Sequence, residues 1–356
     1  MRLRAQPQDM RRRHETRRLA RRGAVLLLAL LVPTTLRAHP GRPPAPHDVL
    51  ESWEPSVAIL FALALCGWLY ARGVRAAWAR AGRNRGVSRA QMHAFAAGLV
   101  VLAIAIASPL DSVATALFSA HMLQHLLLML VVGPLLAAGR AELVLLWAAP
   151  ERIRRRAGRI WARATRVRRF SSTLSAPVSA WVLHAVTLWM WHLPRFYDAA
   201  AADETTHALE HASFVVTSIL FARVLPLGVH GARPRLSHGA AILYLFAGAM
   251  QSALLGALLA LAPAVWYTAH LTSTAPWGLM PLGDQQLAGT LMWGPAGVAY
   301  VAAALWVTRA WLANADASAR RPHARAASPC GARSGSASER PARLRPLDAT
   351  RPRTTS

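Results

Sequence analysis

Two pairs of histidines have the spacing of a helical metal site. His121 and His125 form one pair, His207 and His211 form the other, and both pairs have the i, i+4 spacing. In an α-helix this spacing places both imidazoles on one face, within reach of a single ion. Two matching pairs are far less expected by chance than one. The pattern therefore predicts one shared metal site.

Neighbouring side chains extend this candidate site. Glu210 stands between His207 and His211 and could orient a ligand through a hydrogen bond. Imidazole with carboxylate and thioether neighbours suits copper, zinc or iron, and Met122 would favour Cu(I) if it turned inward. A residue at i+1 does not share the face of His121, which makes Met122 the weakest candidate. The predicted metal-binding set, with copper as the expected ion, is His121, His125, His207, His211, His192, Glu210 and Met122.

Other polar residues near these pairs have structural interpretations. A single histidine near a membrane surface is more often a hydrogen-bonded structural residue than a ligand, and this interpretation is favoured for His184 and His270. Asp203 and Glu204 are expected to cap the helix that carries His207. Asp284 precedes the last apolar run and is expected to be an N-cap.

Long apolar runs predict that the histidines lie on membrane-spanning helices. The chain has 356 residues, of which 54% are hydrophobic and only 16% are charged. Runs of about 17 to 25 apolar residues are typical of spanning helices. The predicted fold class is all-α, a polytopic membrane helix bundle with about seven transmembrane helices. Their expected limits are 55–72, 92–109, 119–138, 177–193, 207–228, 239–262 and 287–311.

The distribution of charge predicts the orientation of this bundle. Arginines fill the connections between the first and second spans and between the third and fourth, so those connections should be cytoplasmic. The alternate connections carry acidic residues and few arginines, and they should face the periplasm. The two histidine pairs and His192 then reach the outer face of the inner membrane. A net charge of +25 is explained by this topology, so the lipid membrane is an expected partner and nucleic acid is not.

Composition divides the chain into three parts. Residues 1–38 resemble a targeting segment, either cleaved after Ala38 or kept as an anchor. Residues 39–312 are the seven-helix membrane domain, and residues 313–356 are expected to be a disordered, Arg-rich cytoplasmic tail. The connection 139–176 is either a helix on the anionic inner surface or a plain stop-transfer loop. The two cysteines lie far apart in different sequence contexts, so the sequence indicates neither a disulfide nor a cysteine metal site.

Four ordered blocks of sequence carry a resemblance to a known family. They are His121-Met-Leu-Gln-His125, Trp191-His-Leu-Pro194 followed by Phe196-Tyr-Asp198, His207-Ala-Leu-Glu-His211 and Asp284-Gln-Gln-Leu-Ala-Gly289. Over roughly residues 50–311 the chain resembles the CtaG family, the caa3-type cytochrome c oxidase assembly factors. The resemblance implies a multi-spanning protein that is needed to assemble the oxidase, has oxidase subunits as partners and is thought to act in maturing its copper centres. The long basic N-terminus and tail depart from the family.

Three functions are compatible with these residues. The first is an assembly factor that handles or delivers copper at the outer face of the inner membrane. The second is a membrane haem-dependent or metal-dependent oxidoreductase with the histidines as axial ligands. The third is a metal-free scaffold for oxidase subunits. A phosphate-binding loop, a Ser-His-Asp arrangement and a dinucleotide fingerprint are all missing from the sequence, so an assembly factor is expected rather than an enzyme.

Overall fold

The computed structural model describes residues 43–51, 53, 55–226 and 236–326. Every regular element in these residues is helical, which confirms the all-α class. In chain order the helices are α1 (Val57–Ala81), α2 (Arg89–Ala107), α3 (Pro109–Ala116), α4 (Phe118–Ala138), α5 (Ala141–Ala148), α6 (Glu151–Arg163), α7 (Thr165–Leu174), α8 (Pro177–Trp191), α9 (Pro194–Ala202), α10 (Glu204–Arg223), α11 (His238–Ala260) and α12 (Pro281–Ala326). A single 3₁₀ turn, Ala275–Trp277, precedes α12.

Five of these helices, α1, α2, α4, α11 and α12, are long and apolar enough to cross a membrane. The number rises to six if α7 and α8, which meet at an angle of 69°, are one bent span. The sequence predicted about seven spans. The predicted span that is not among these six is 207–228, which corresponds to α10. Helix α10 has the length of a span but carries two histidines, a glutamate and several hydroxyl residues, which lower its hydropathy. The chain is therefore a multi-pass membrane protein with α10 as a polar helix.

The chain divides into two compact units, Met1–Ala310 and Trp311–Ser356. The first unit contains all the histidines of the candidate site. Helix α12 continues to Ala326, so the first part of the predicted tail is helical, where the sequence predicted disorder from about residue 313. The predicted targeting segment, 1–38, and residues 327–356 lie outside the described residues.

Helices α4 and α10 lie side by side because a glycine allows their backbones to approach. Helix α4 widens into a π-helical segment at Leu127–Val132, which begins two residues after His125, and then reaches Gly133. A Cβ atom at Gly133 would overlap the Cβ of Ser218 on α10. Small residues are the usual means by which membrane helices pack closely, and π segments often occur at functional sites. The contact brings together the two helices that carry the histidine pairs.

A second close contact joins α11 and α12. A Cβ at Gly256 would lie 2.8 Å from the carbonyl oxygen of Gly289 and 2.8 Å from the amide nitrogen of Trp293. Both glycines are therefore required by the packing, as the small residues before the last span indicated. The contact holds α12, and with it Asp284, against the rest of the bundle.

The connection between α4 and α8 contains the helices α5, α6 and α7. Helix α6 has arginines on one side, and the apolar side chains of Ile153, Ile160 and Trp161 are exposed. The Arg154 guanidinium lies 4.5 Å from the ring centroid of Trp147. The helical form agrees with the surface-helix interpretation of residues 139–176, and its position on a membrane stays a prediction.

Candidate metal centre

Helix α4 begins at Phe118 because a distant carboxylate accepts its first amide hydrogens. The Phe118 N–H donates to Oδ2 of Asp284 at 2.6 Å and the Ser119 N–H donates to Oδ1 at 3.2 Å, while the Ser119 hydroxyl also donates to Oδ1. A carboxylate is favourable here because the N-terminus of a helix carries partial positive charge. Asp284 is thus an N-cap as predicted, but it caps α4 and not its own helix. It fixes the turn that leads into His121.

Helix α10 begins with a cap of its own. Oδ2 of Asp203 accepts hydrogen bonds from the N–H and the hydroxyl of Thr206, each at 2.7 Å. These hydrogen bonds lower the pKa of Asp203 below its ordinary value. The cap predicted at Asp203 is confirmed, and Glu204 is the first residue of the helix. His207, Glu210 and His211 follow within two turns and face α4.

Four side chains converge between the two helices. His121, His125, Glu210 and His211 each place one potential ligand atom within 4.8 Å of those of the other three. This group is called the His/Glu cluster below. Nε2 of His121 lies 3.7 Å from Oε2 of Glu210, and Nε2 of His125 lies 3.6 Å from Oε1. Both histidines and the glutamate are buried, with Glu210 at 0% exposure.

The buried polar atoms of this region have no hydrogen-bond partner in the described part of the chain. These atoms are Nε2 of His121, both ring nitrogens of His125, Nε2 of His207, both carboxylate oxygens of Glu210 and Nε2 of His211. Buried polar atoms are normally paired, because leaving one unpaired costs about 1–3 kcal/mol. The seven atoms lie close together and could serve as ligands for a cation.

The distances in the cluster fit a shared ion. Ligand atoms at about 2.1 Å from a tetrahedral ion lie roughly 3.4 Å apart. The His–Glu distances of 3.6 and 3.7 Å are close to this value and are longer than a hydrogen bond. Three imidazoles and one carboxylate form a donor set that suits zinc, copper or iron. The arrangement can hold one such ion with only small side-chain movements.

His192 and Met122 form a separate contact beside the cluster. Nε2 of His192 lies 3.1 Å from the sulfur of Met122, and Nδ1 lies 2.7 Å from the carbonyl oxygen of Leu188. The ring centroids of His192 and His125 are 6.0 Å apart. Met122 is therefore not one of the four converging side chains, and its sulfur contacts the histidine at the end of α8. Nε2 of His192 and the soft sulfur of Met122 therefore lie together beside the four potential ligands.

The remaining histidines occupy three different positions. The ring of His207 lies 4.1 Å from that of His211 and 5.2 Å from that of His121, between centroids, so it adjoins the cluster without belonging to the group of four. His184 lies deeper, with Nδ1 3.5 Å from the hydroxyl of Thr217. His270 belongs to the loop before α12. The structural interpretation of His184 and His270 agrees with these contacts.

A loop of residues 262–280, called the covering loop, closes one side of the cluster. The Tyr267 hydroxyl donates to the carbonyl oxygen of His192 at 2.8 Å, and Nε2 of His270 lies 2.6 Å from the hydroxyl of Tyr197. Burial lowers the pKa of His270 to about 4, so its ring is neutral. The Tyr197 ring in turn lies 5.2 Å from that of His121. Aromatic side chains therefore separate the cluster from this surface.

The sequence did not identify Tyr197 and Tyr267 as neighbours of the cluster, and it did not identify α4 as the helix that Asp284 caps. A tyrosine in a connecting segment carries no spacing signal, because its contacts come from residues far away in the chain. The Phe196-Tyr197-Asp198 block was visible as part of the family resemblance, and Asp198 accepts a 2.8 Å hydrogen bond from the Thr268 hydroxyl. That block was the one signal that could have placed α9 under the covering loop.

The comparisons with known proteins agree with this architecture. Residues 68–314 match the family described as cytochrome c oxidase caa3 assembly factor. Two uncharacterised proteins, one from Mycobacterium bovis and one from Mycobacterium tuberculosis, are each 27% identical to this chain over 255 residues. The alignment covers 71% of this chain and 38% of each relative, so the chain spans about two fifths of their length. No solved structure matches the chain.

The matched region contains every helix from α2 to α11, the covering loop and both histidine pairs. It covers well over half of the sequence. The chain therefore belongs to the family of cytochrome c oxidase caa3 assembly factors.

Proposed function

We propose that this protein binds copper in the His/Glu cluster and passes it to an oxidase subunit during assembly, at the outer face of the inner membrane. His121, His125, Glu210 and His211 hold the ion. His207, His192 and Met122 stand beside them and assist its movement. The protein acts as a carrier, so the copper is its cargo and no chemical reaction is required of the chain.

The observation that carries this proposal is the convergence of unpaired buried atoms on one point. Glu210 has no exposure, and neither of its oxygens has a hydrogen-bond donor in the described residues. A buried carboxylate without a donor is strongly unfavourable within the membrane, and a bound cation removes that penalty. Histidines with a purely structural role would instead be expected to hydrogen-bond to backbone or side-chain oxygens.

Copper is favoured over other ions by the family and by the neighbouring sulfur. An oxidase assembly factor that holds an ion must release it again. Its ligands must therefore bind the ion without making it inert, and they must be able to change position. Imidazole suits both oxidation states of copper, and thioether ligands select Cu(I). Met122 lies one residue from His121 and touches His192, so a soft donor adjoins the cluster.

The outer location follows from the charge distribution. Arginines are concentrated in the connection between α4 and α8, and this connection lies at the opposite end of α4 from His121 and His125. Arg-rich connections remain cytoplasmic in bacterial membrane proteins. The N-terminal end of α4, which carries His121 and His125, therefore faces outward.

The cluster is too compact for the haem alternative. Two axial histidines must leave space for a flat macrocycle between them. A macrocycle between any two of these histidines would have to displace the third histidine and Glu210, whose ligand atoms lie within 4.8 Å of those of the pair. A metal-free scaffold would leave the seven buried atoms unpaired, so the arrangement favours it less than a carrier.

The test is the copper content of the full-length protein purified in detergent from copper-supplemented cells. We expect equimolar copper in the wild type and loss of copper in the His125→Gln and His211→Gln variants. His184→Gln is the matched control, because His184 is a buried histidine outside the cluster. Oxidase activity in the same cells should fall with copper content.

Two results would overturn the proposal. Absence of copper from the wild type, together with normal oxidase activity when His121 and His207 are both replaced, would leave the metal-free scaffold. A visible pigment spectrum in the purified protein would establish the haem protein instead.

A further inference from the structure

A cavity of about 640 Å³ reaches the side of the His/Glu cluster. It lies between the start of α1, the end of α2, the short helix α3 and the first half of α10. Its wall is mostly apolar, and its polar side chains include two acids, two histidines and three serines. The wall residues that matter below are Ile59, Asp111, Glu204, His207, Ala208 and His211.

The cavity touches the cluster at one ligand only. His211 belongs both to the cluster and to the cavity wall. His121, His125 and Glu210 are buried behind it and do not belong to the wall as far as the described residues define it. An ion in the cavity would therefore meet His211 before the other three ligands.

His207 is placed to make the first contact. It lies in the cavity wall, and its ring stands 4.1 Å from that of His211 and 5.2 Å from that of His121. Its Nε2 is buried without a hydrogen-bond partner among the described residues. A ligand in this position can hold an ion that has not yet entered the cluster, or one that has just left it.

The wall also carries the charge that a cation requires. Asp111 and Glu204 are carboxylates on two different helices that border the cavity. Asp111 accepts a 2.7 Å hydrogen bond from Nε2 of Gln124, which lies between His121 and His125 on α4. Clefts with walls of low dielectric and acidic residues concentrate cations. The cavity is thus suited to cation passage despite its apolar lining.

The covering loop closes the more direct route. Tyr267 is 2% exposed, Tyr197 is 1% exposed and His270 is 6% exposed, and hydrogen bonds fix all three. Further hydrogen bonds tie Ser273 to the carbonyl oxygen of Ala116 and Thr268 to Asp198. An ion that arrived through this surface would have to break several of these contacts.

We infer that copper enters and leaves the His/Glu cluster sideways through this cavity, with His207 as the transfer ligand. The inference rests on the proposed function and adds a route to it. The donor and the acceptor of copper must then present their own ligands at the opening between α1 and α10, and not at the covering loop. Exchange through a chain of neighbouring ligands also allows the ion to move without a free hydrated intermediate.

The test measures the rate of copper exchange in the full-length protein. The protein is loaded with Cu(I) under reducing conditions and mixed with a chromogenic Cu(I) chelator, and the absorbance of the chelate is followed in time. Ala208→Phe and Ile59→Trp fill the cavity from its two sides. Leu209→Phe and Leu60→Trp are matched controls, because these neighbours are exposed and lie outside the cavity wall.

We expect both cavity-filling variants to retain equimolar copper and to exchange it at least about tenfold more slowly than the wild type. The controls should exchange copper at the wild-type rate. His207→Gln should slow exchange to a similar extent and lose less copper at equilibrium than His211→Gln. Tyr267→Phe, which removes one hydrogen bond of the covering loop, should leave the rate unchanged.

Two outcomes would overturn the inference. Wild-type exchange rates in both cavity-filling variants would exclude the sideways route, and faster exchange in Tyr267→Phe would assign the route to the covering loop. Each result is obtained with copper-loaded protein and therefore leaves the proposed function intact. Failure of the wild type to load any copper would instead contradict the proposed function itself.

Discussion

Ser119 donates both its backbone N–H and its hydroxyl to the carboxylate of Asp284, although 165 residues separate the two in the chain. This contact joins the first turn of α4 to the first turn of α12. His121 follows Ser119 by two residues, so the position of the first histidine pair depends on the last helix of the bundle.

Replacement of Asp284 by Ala should therefore affect both stability and copper binding. The loss of an N-cap costs about 1–2 kcal/mol, and the Phe118 and Ser119 amides would be left buried and unpaired. Asp284→Asn keeps an acceptor oxygen and should lose less. Thermal unfolding in detergent and copper content are the two measurements, and wild-type values of both in Asp284→Ala would contradict the assigned cap.

Gly133 controls the separation of the two histidine-bearing helices. Gly133→Ala places a methyl group against Ser218, so α4 and α10 must move apart. Overpacking of this kind typically costs about 1–3 kcal/mol, and we expect lower copper content as well. Gly294→Ala is the control, because a Cβ there meets no atom within 4 Å. Equal copper content in both variants would show that the helix separation is not critical.

Loss of the Met122 thioether should change the metal preference of the protein and have little effect on the stability of the fold. Met122→Leu conserves volume, and such substitutions in a core usually cost less than about 1.5 kcal/mol. The preference for Cu(I) over Zn(II) should decrease, because the sulfur beside His192 is lost. Competition titration of the two ions measures this preference. Met292→Leu serves as control, since Met292 is also buried but lies outside the His192 contact.

Tyr267 of the covering loop should stabilise the fold through its hydrogen bond to His192. The Tyr267 hydroxyl donates to the backbone carbonyl of His192 and so helps to hold the end of α8. Tyr267→Phe leaves the ring in place and removes one buried hydrogen bond, for which a loss of about 1 kcal/mol is expected. Copper content should be unchanged, as measured on purified protein. A large loss of copper would mean that the loop contributes directly to binding.

The sequence was sufficient to predict the helical class and the histidines that meet. Apolar runs define the spanning helices, and the i, i+4 spacing specifies a helical face without reference to the rest of the fold. The predicted direction of each span then placed His121, His125, His207 and His211 at a similar depth in the membrane. The structure brings three of these four together with Glu210, and His207 adjoins them.

Other features depend on contacts that no local pattern encodes. Asp284 has the spacing of a cap for its own helix, and only the packing of α12 against α4 reveals that it caps another. The number of spans differed for two reasons: α10 carries polar side chains of the site, which lower its hydropathy, and α8 has only 15 residues and meets α7 at an angle of 69°. The partnership of Met122 with His192 likewise required the crossing of α4 and α8.

X-ray absorption at the copper edge tests the central claim most directly, because it reports the atoms bound to the ion in the intact protein. For copper-loaded wild type we predict a first shell of nitrogen and oxygen at about 2.0–2.1 Å with the multiple-scattering pattern of imidazole. His125→Gln, reloaded with excess copper after purification, should show a weaker pattern, and His184→Gln should not. A first shell without imidazole, or an identical spectrum in His125→Gln, would contradict the assignment of the His/Glu cluster as the copper site.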